Sequence, residues 1–133
     1  MNIDRYMHGC ATFKSGGKTY AIVAGGYSIV QGGMSSVEFL NLSDEGSEWV
    51  EGPSMPRELM EFSMMTSPDG DGVLVVGGIS GRDYQSSILK MTCSKETCGD
   101  DLNCKWTELE SKLEISRKDQ VAFLIPDNLT SCK

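Results

Sequence analysis

The 133-residue sequence predicts an all-β fold of two four-stranded antiparallel units, and three observations carry that prediction. Two short apolar runs, Tyr20-Ala21-Ile22-Val23-Ala24 and Gly72-Val73-Leu74-Val75-Val76, each close on a glycine pair, Gly25-Gly26 and Gly77-Gly78. Runs of this length read as buried strands, and paired glycines suit a backbone leaving a sheet in torsions that other residues resist. The frame around them repeats. Arg5 to Gly25 and Arg57 to Gly77 are both 20 residues, and each glycine pair is followed by a Ser-Ser pair and then a tryptophan. Turn-forming clusters punctuate the whole chain.

In the first unit the strands are expected at about 10–13, 19–24, 37–42 and 48–51. In the second they are expected at about 62–66, 73–76, 88–92 and 105–109. The intervening turns are Ser15-Gly16-Gly17-Lys18, Gly32-Gly33, Asp44-Glu45-Gly46-Ser47 and Ser67-Pro68-Asp69-Gly70-Asp71-Gly72. Met55-Pro56 is a rigid entry to the second unit. Glu108 to Lys118 has weak helical spacing and is read as loop. The third arginine, Arg117, precedes Val121-Ala122-Phe123-Leu124-Ile125, read as one further strand. The units differ in one place. Ser35 to Trp49 is 14 residues but Ser86 to Trp106 is 20, so the second unit carries six extra residues where Cys93, Cys98 and Cys104 lie.

Composition narrows the function classes. A net charge of −7 argues against nucleic acid, because phosphate binding needs a basic face. No window approaches the ~18 apolar residues of a membrane-crossing helix, so membrane insertion is not expected. Three of the five cysteines fall within 93–104, which hints at an oxidising setting. Asn41-Leu42-Ser43 and Asn128-Leu129-Thr130 match the N-glycosylation acceptor pattern. Together they favour an extracellular or secretory location over a cytoplasmic one.

An arginine at the head, a second strand ending in Gly-Gly, an apolar third strand and a tryptophan opening the fourth resemble the kelch repeat. Arg5, Gly25, Gly26 and Trp49 carry the likeness in the first copy; Arg57, Gly77, Gly78 and Trp106 carry it in the second. His8 stands where many such repeats have histidine, while Met60 and Gln120 replace it later. The resemblance implies a partial β-propeller. Blade one would span 1–56 and blade two 57–116, with a cysteine-bearing hairpin insertion at about 93–104. The first strand of a third blade, or a closing strand and tail, would fill 117–133. Propellers need ~4–8 blades and repeat units need neighbours. The chain is therefore expected to belong to a longer propeller, to be a truncated product, or to close a ring with other chains.

Candidate chemistry is sparse. Neither glycine pair belongs to a phosphate-loop pattern, so no cofactor is expected. One histidine, His8, allows no Ser-His-Asp set. Cys93, Cys98 and Cys104 could supply three thiolates to zinc, but a structural site wants four ligands, and nothing brings the distant His8 or Cys10 to the insertion. A disulfide is expected instead, either Cys93–Cys104 at the hairpin base or Cys98–Cys104 within it. Arg5, Arg57 and Arg117 are expected at the same blade position, holding blades together or ringing one face. The resulting reading is a non-catalytic module that binds another protein through loops such as 28–34 and the insertion. The alternative is part of a kelch-like sugar-oxidising or sialic-acid-processing enzyme with its catalytic residues elsewhere.

Overall fold

The computed structural model describes residues 1–95 and 102–125. These residues form strands and loops and contain no helix. In chain order the strands are β1 Gly9–Ser15, β2 Lys18–Ala24, β3 Tyr27–Ser28, β4 Gly32–Gly33, β5 Val37–Asn41, β6 Val50–Gly52, β7 Ser63–Thr66, β8 Gly72–Val76, β9 Ile79–Ser80, β10 Asp83–Tyr84, β11 Ile88–Lys95 and β12 Leu102–Glu108. They build two antiparallel four-stranded sheets, β1-β2-β5-β6 and β7-β8-β11-β12, and two small hairpins, β3-β4 and β9-β10.

The eight expected strands are present, with the fourth displaced to Val50–Gly52. The small hairpins were not foreseen. Gly32-Gly33, read as a turn, is instead the strand β4, paired with Tyr27-Ser28. Isolated glycines in a two-residue strand carry no alternation of side chains, so the sequence offered no pattern to read. Val121–Ile125 forms no strand either. Ala122 N donates there to Ser63 Oγ at 2.8 Å, and no described strand lies alongside to complete a ladder.

The registers make the two sheets equivalent residue by residue. Gly9↔Ala24↔Val37 in sheet one matches Ser63↔Val76↔Ile88 in sheet two. This exposes what lies behind the equal 20-residue spacings. Arg5 lies four residues before Gly9, whereas Arg57 lies six before Ser63. The β1–β2 hairpin is longer than the β7–β8 hairpin by the same two residues. Two opposite changes cancel in the count.

Backbone torsions mark the true equivalence. Met7, Glu61 and Asp119 are the only non-glycine residues with positive φ among those described, at 58°, 55° and 55°. They are stitched in series: Glu61 N donates to Met7 O at 3.0 Å and Asp119 N to Glu61 O at 2.9 Å. Met7 and Glu61 each stand two residues before the first strand of a sheet, β1 and β7.

One face of each sheet meets in the core. Phe13, Ile22, Val37 and Phe39 of sheet one pack in a single cluster with Val73, Val75, Leu89, Met91 and Cys93 of sheet two. Along β11, Leu89, Met91 and Cys93 alternate with half-exposed Ile88, Lys90 and Thr92, as strand geometry requires. Leu59 and Phe62, on the segment linking the sheets, fill the space between them. Trp106 packs on this core, and its indole N–H donates to Pro53 O at 2.8 Å. Burying these bulky groups contributes about 1.5–3 kcal/mol each. Val23 and Val76, both buried strand residues, lie outside the cluster. Register places them on the opposite faces of their sheets.

Candidate functional site

Where β2 and β5 diverge, Arg5 meets the backbone carbonyls at their ends. Its Nη1 donates to Gly25 O and Ser36 O, both at 3.0 Å. Its Nη2 donates to Ser36 Oγ at 3.2 Å and to Glu38 Oε2 at 2.9 Å. The side chains of Arg5 and Glu38 are 0% and 3% exposed. The planar guanidinium fork suits this, since it supplies several donors in fixed geometry. Glu38 also accepts from the Asn2 backbone N–H. Arg5 is thus a clasp across sheet one, closed to any ligand.

The other two arginines differ from it in exposure and partners, although Arg57 meets Ser87 Oγ as Arg5 meets the equivalent Ser36 Oγ. Arg57 is half-exposed and donates to Ser87 Oγ at 3.1 Å, to Gln85 Oε1 at 3.4 Å and to Glu108. Its carboxylate comes from a different strand, because Leu89 stands in the place of Glu38 and is fully buried. Glu108 is the cross-strand neighbour of Leu89, as Glu51 is of Glu38. Arg117 is exposed, and its Nε donates to Ile115 O at 3.3 Å. Its backbone carbonyl accepts from Gly78 N at 2.8 Å.

The glycine pairs serve backbone approach. Gly25 and Gly26 have φ of 59° and 92°, and Gly77 and Gly78 repeat them at 61° and 100°. A Cβ on Gly25 would sit 2.5 Å from Leu59 O, and one on Gly77 would sit 2.7 Å from Arg117 O. Each pair lets the following repeat's entry segment lie directly on the end of the sheet.

The insertion is a long hairpin. Cys93 and Cys104 face one another across β11 and β12 and are joined by a disulfide, their Cα atoms 4.0 Å apart. This selects the base-of-hairpin pairing; Cys98 lies outside the described residues. The pair borders a groove of about 720 Å³ between the hairpin and the outer end of sheet one. Tyr20, Phe39, Pro53 and Leu102 give it an apolar floor, and Asp44, Glu48 and Glu51 an acidic rim. Asp44 is bound to Lys18 at 3.0 Å and accepts from Asn41 Nδ2. Asn41 Oδ1 in turn accepts from Ser43 N at 3.0 Å. Both ends of the Asn41 amide are therefore engaged within its turn. Asn128 lies outside the described residues.

Loop 28–34 contributes a second feature. Ile29 and Val30, at the tip of the β3–β4 hairpin, are 88% and 91% exposed. The hairpin base is fixed by reciprocal hydrogen bonds between Tyr6 and Tyr27 (3.1 and 2.8 Å), whose rings lie 5.5 Å apart. Ile29 and Val30 belong to the loop 28–34 that the sequence already singles out. Sequence reading passed over Glu38, whose signal was a lone charge within the apolar strand Val37-Glu38-Phe39-Leu40.

His8 and Cys10 are both exposed. Among the described residues no group of three or more His, Cys, Asp or Glu is arranged to hold a metal ion. No helix among them is long and apolar enough to cross a membrane. Compared with protein-family models and with curated proteins, the chain matches none.

Proposed function

We propose that the chain is a kelch-type protein-interaction module, two blades of a β-propeller whose hairpin tips contact another protein in an extracellular or secretory setting. The fold part of this reading is supported by the equivalent strand order and register of the two sheets, with Gly-Gly pairs and tryptophans at matching positions. The Cys93–Cys104 disulfide is compatible with an oxidising compartment. The observation that carries the interaction part is the pair Ile29 and Val30, nearly fully exposed on a hairpin anchored by Tyr6 and Tyr27. Adjacent large aliphatics held in water on a fixed scaffold lower no folding free energy, and such surfaces commonly serve recognition.

The test compares the full chain with Ile29→Asp/Val30→Asp as bait on mammalian cell-surface and secreted extracts. The reading expects a protein retained by the native chain and lost with the variant, while the thermal melts of the two agree. Identical capture by both baits would remove the hairpin tip from the reading.

A further inference from the structure

The turn that leaves sheet one after β5 is held by its own residues. Asn41, the last residue of β5, accepts through Oδ1 from Ser43 N at 3.0 Å and donates through Nδ2 to Asp44. The Ser47 hydroxyl then donates to Asp44 O at 2.9 Å. All three bonds span two or three residues, so the turn needs no distant strand to form and is available to the chain as it is made. The folded sheet keeps it: Leu42 N donates to Thr19 O at 2.8 Å and Thr19 N to Ser43 Oγ at 2.9 Å.

Asn41-Leu42-Ser43 is one of the two acceptor triplets for N-linked sugar. An acceptor must present its amide nitrogen outward with the hydroxyl of the third residue close by. The Asx turn does both, because it fixes Oδ1 on the backbone and folds Ser43 back toward Asn41. The triplet lies at the surface, with Leu42 51% exposed and Ser43, Asp44, Glu45 and Gly46 exposed. Asp44 does not block it. A primary amide has two N–H groups and a substituted one keeps one, which is all that the bond to Asp44 uses.

Register sets where the sugar stands. Asn41 pairs with Tyr20 at one end of the β2–β5 ladder and Val37 with Ala24 at the other, four residues or ~13 Å away. The β3–β4 hairpin with Ile29 and Val30 leaves from the Ala24 end. The residue of sheet two equivalent to Asn41 is Thr92, next to Cys93 of the disulfide. Asn41 and Cys104 both line the groove at this end. The disulfide is compatible with an oxidising compartment on its own account. It and the acceptor triplet therefore mark the same end of the molecule.

We propose that Asn41 is an N-glycan acceptor, its oligosaccharide standing at the disulfide end of the molecule, away from the β3–β4 tip. In the transfer, Asn41 Nδ2 bonds to the anomeric carbon of a lipid-linked oligosaccharide pyrophosphate. The carbon–oxygen bond to phosphate breaks, the lipid pyrophosphate leaves with that electron pair, and one amide proton is released. The modification rests on the secretory setting proposed for the chain.

The test sends the full chain, behind a cleavable leader, through the secretory route of a eukaryotic host and reads intact mass before and after a peptide-N-glycosidase. Asn128→Gln removes the second triplet, so any N-glycan left on that variant is at Asn41. The expected result is a glycan on the disulfide-bonded Asn128→Gln chain, with Asn41 converted to an aspartate on its release. Adding Asn41→Gln or Ser43→Ala should abolish it. A secreted Asn128→Gln chain bearing no glycan overturns the acceptor, and so does a glycan that persists with Asn41→Gln. Alkylation of the chain from its own source reads the setting separately. Cys93 and Cys104 found reduced there, beside a glycosylated routed chain, overturn the secretory setting and uphold the acceptor. Found bonded there, beside a bare routed chain, they overturn the acceptor and uphold the setting.

Discussion

Arg5 and Glu38 form an ion pair of 2.9 Å with side chains 0% and 3% exposed, at a place where the second sheet has Leu89 and borrows Glu108 from the adjoining strand. The same clasp is therefore built twice with the carboxylate moved across one β-ladder. Burial changes what each version is worth. Breaking a buried pair leaves an uncompensated charge and costs about 3–5 kcal/mol, whereas a pair that is a third exposed contributes ~1 kcal/mol or less.

Glu38→Gln should lower the urea-unfolding free energy by about 3 kcal/mol, and Glu108→Gln by no more than ~1 kcal/mol. Arg5→Met/Glu38→Leu should cost less than Glu38→Gln alone, because no charge is then stranded. Equal losses from Glu38→Gln and Glu108→Gln would contradict this ranking.

Much of this fold was readable in the sequence because its signals are local. Apolar runs closed by Gly25-Gly26 and Gly77-Gly78 placed β2 and β8, and the turn clusters placed their neighbours. The clasp was only half readable. Arg5 and Arg57 share a spacing, but that spacing is the cancellation of two opposite length differences, and the choice between Glu38 and Glu108 is made by cross-strand register. Register is a long-range property that no window of sequence contains. The stitched positions Met7 and Glu61 were invisible for a different reason, since neither is of a residue type that marks positive φ.

Those two residues give a prediction of opposite sign to most substitutions. A left-handed conformation costs a non-glycine residue roughly 1–2 kcal/mol. Met7 is exposed and its side chain is not needed for the backbone bond it accepts. Met7→Gly should leave unfolding free energy unchanged or raise it by up to about 1 kcal/mol, glycine's greater freedom in the unfolded chain offsetting part of the relief. Gly25→Ala should do the reverse, losing about 2 kcal/mol or more from φ strain and the approach of Leu59 O. Thermal melts of the two variants on either side of the native chain would bear this out.

Lys118 supplies the pH-dependent contact. Its ammonium is held above the ordinary lysine value of 10.5 chiefly by its hydrogen bond to Glu61, with further attraction from Glu61 and Asp119 outweighing desolvation. A raised folded-state value means that the stabilisation is fully present below the unfolded value of about 10.4 and is lost as pH rises through the folded one. Lys118 is well solvated, so the effect is small and screened by salt. Native protein should lose slightly more melting temperature than Lys118→Met on raising the pH through that range, and the gap should close in high salt. A gap that persists in high salt would show that the contact is not electrostatic.

The disulfide should matter for the core as well as for the hairpin. Cys93 is 9% exposed and belongs to the inter-sheet cluster, while Cys104, Leu102 and Trp106 pack against it from β12. Cross-linking residues 11 apart in sequence removes loop entropy from the unfolded chain worth about 3 kcal/mol in the chain-entropy model. Cys93→Ala/Cys104→Ala should therefore lower the unfolding free energy by about 3 kcal/mol, with some further loss from the truncated Cys93 side chain. Loosening β12 also loosens the Trp106–Pro53 contact, so Trp106 fluorescence should red-shift in the variant before global unfolding. Trp49, on the other sheet, should keep its emission, and Trp106→Phe in the same background isolates that signal. A variant that loses stability with no change around Trp106 would confine the disulfide's role to the unfolded chain.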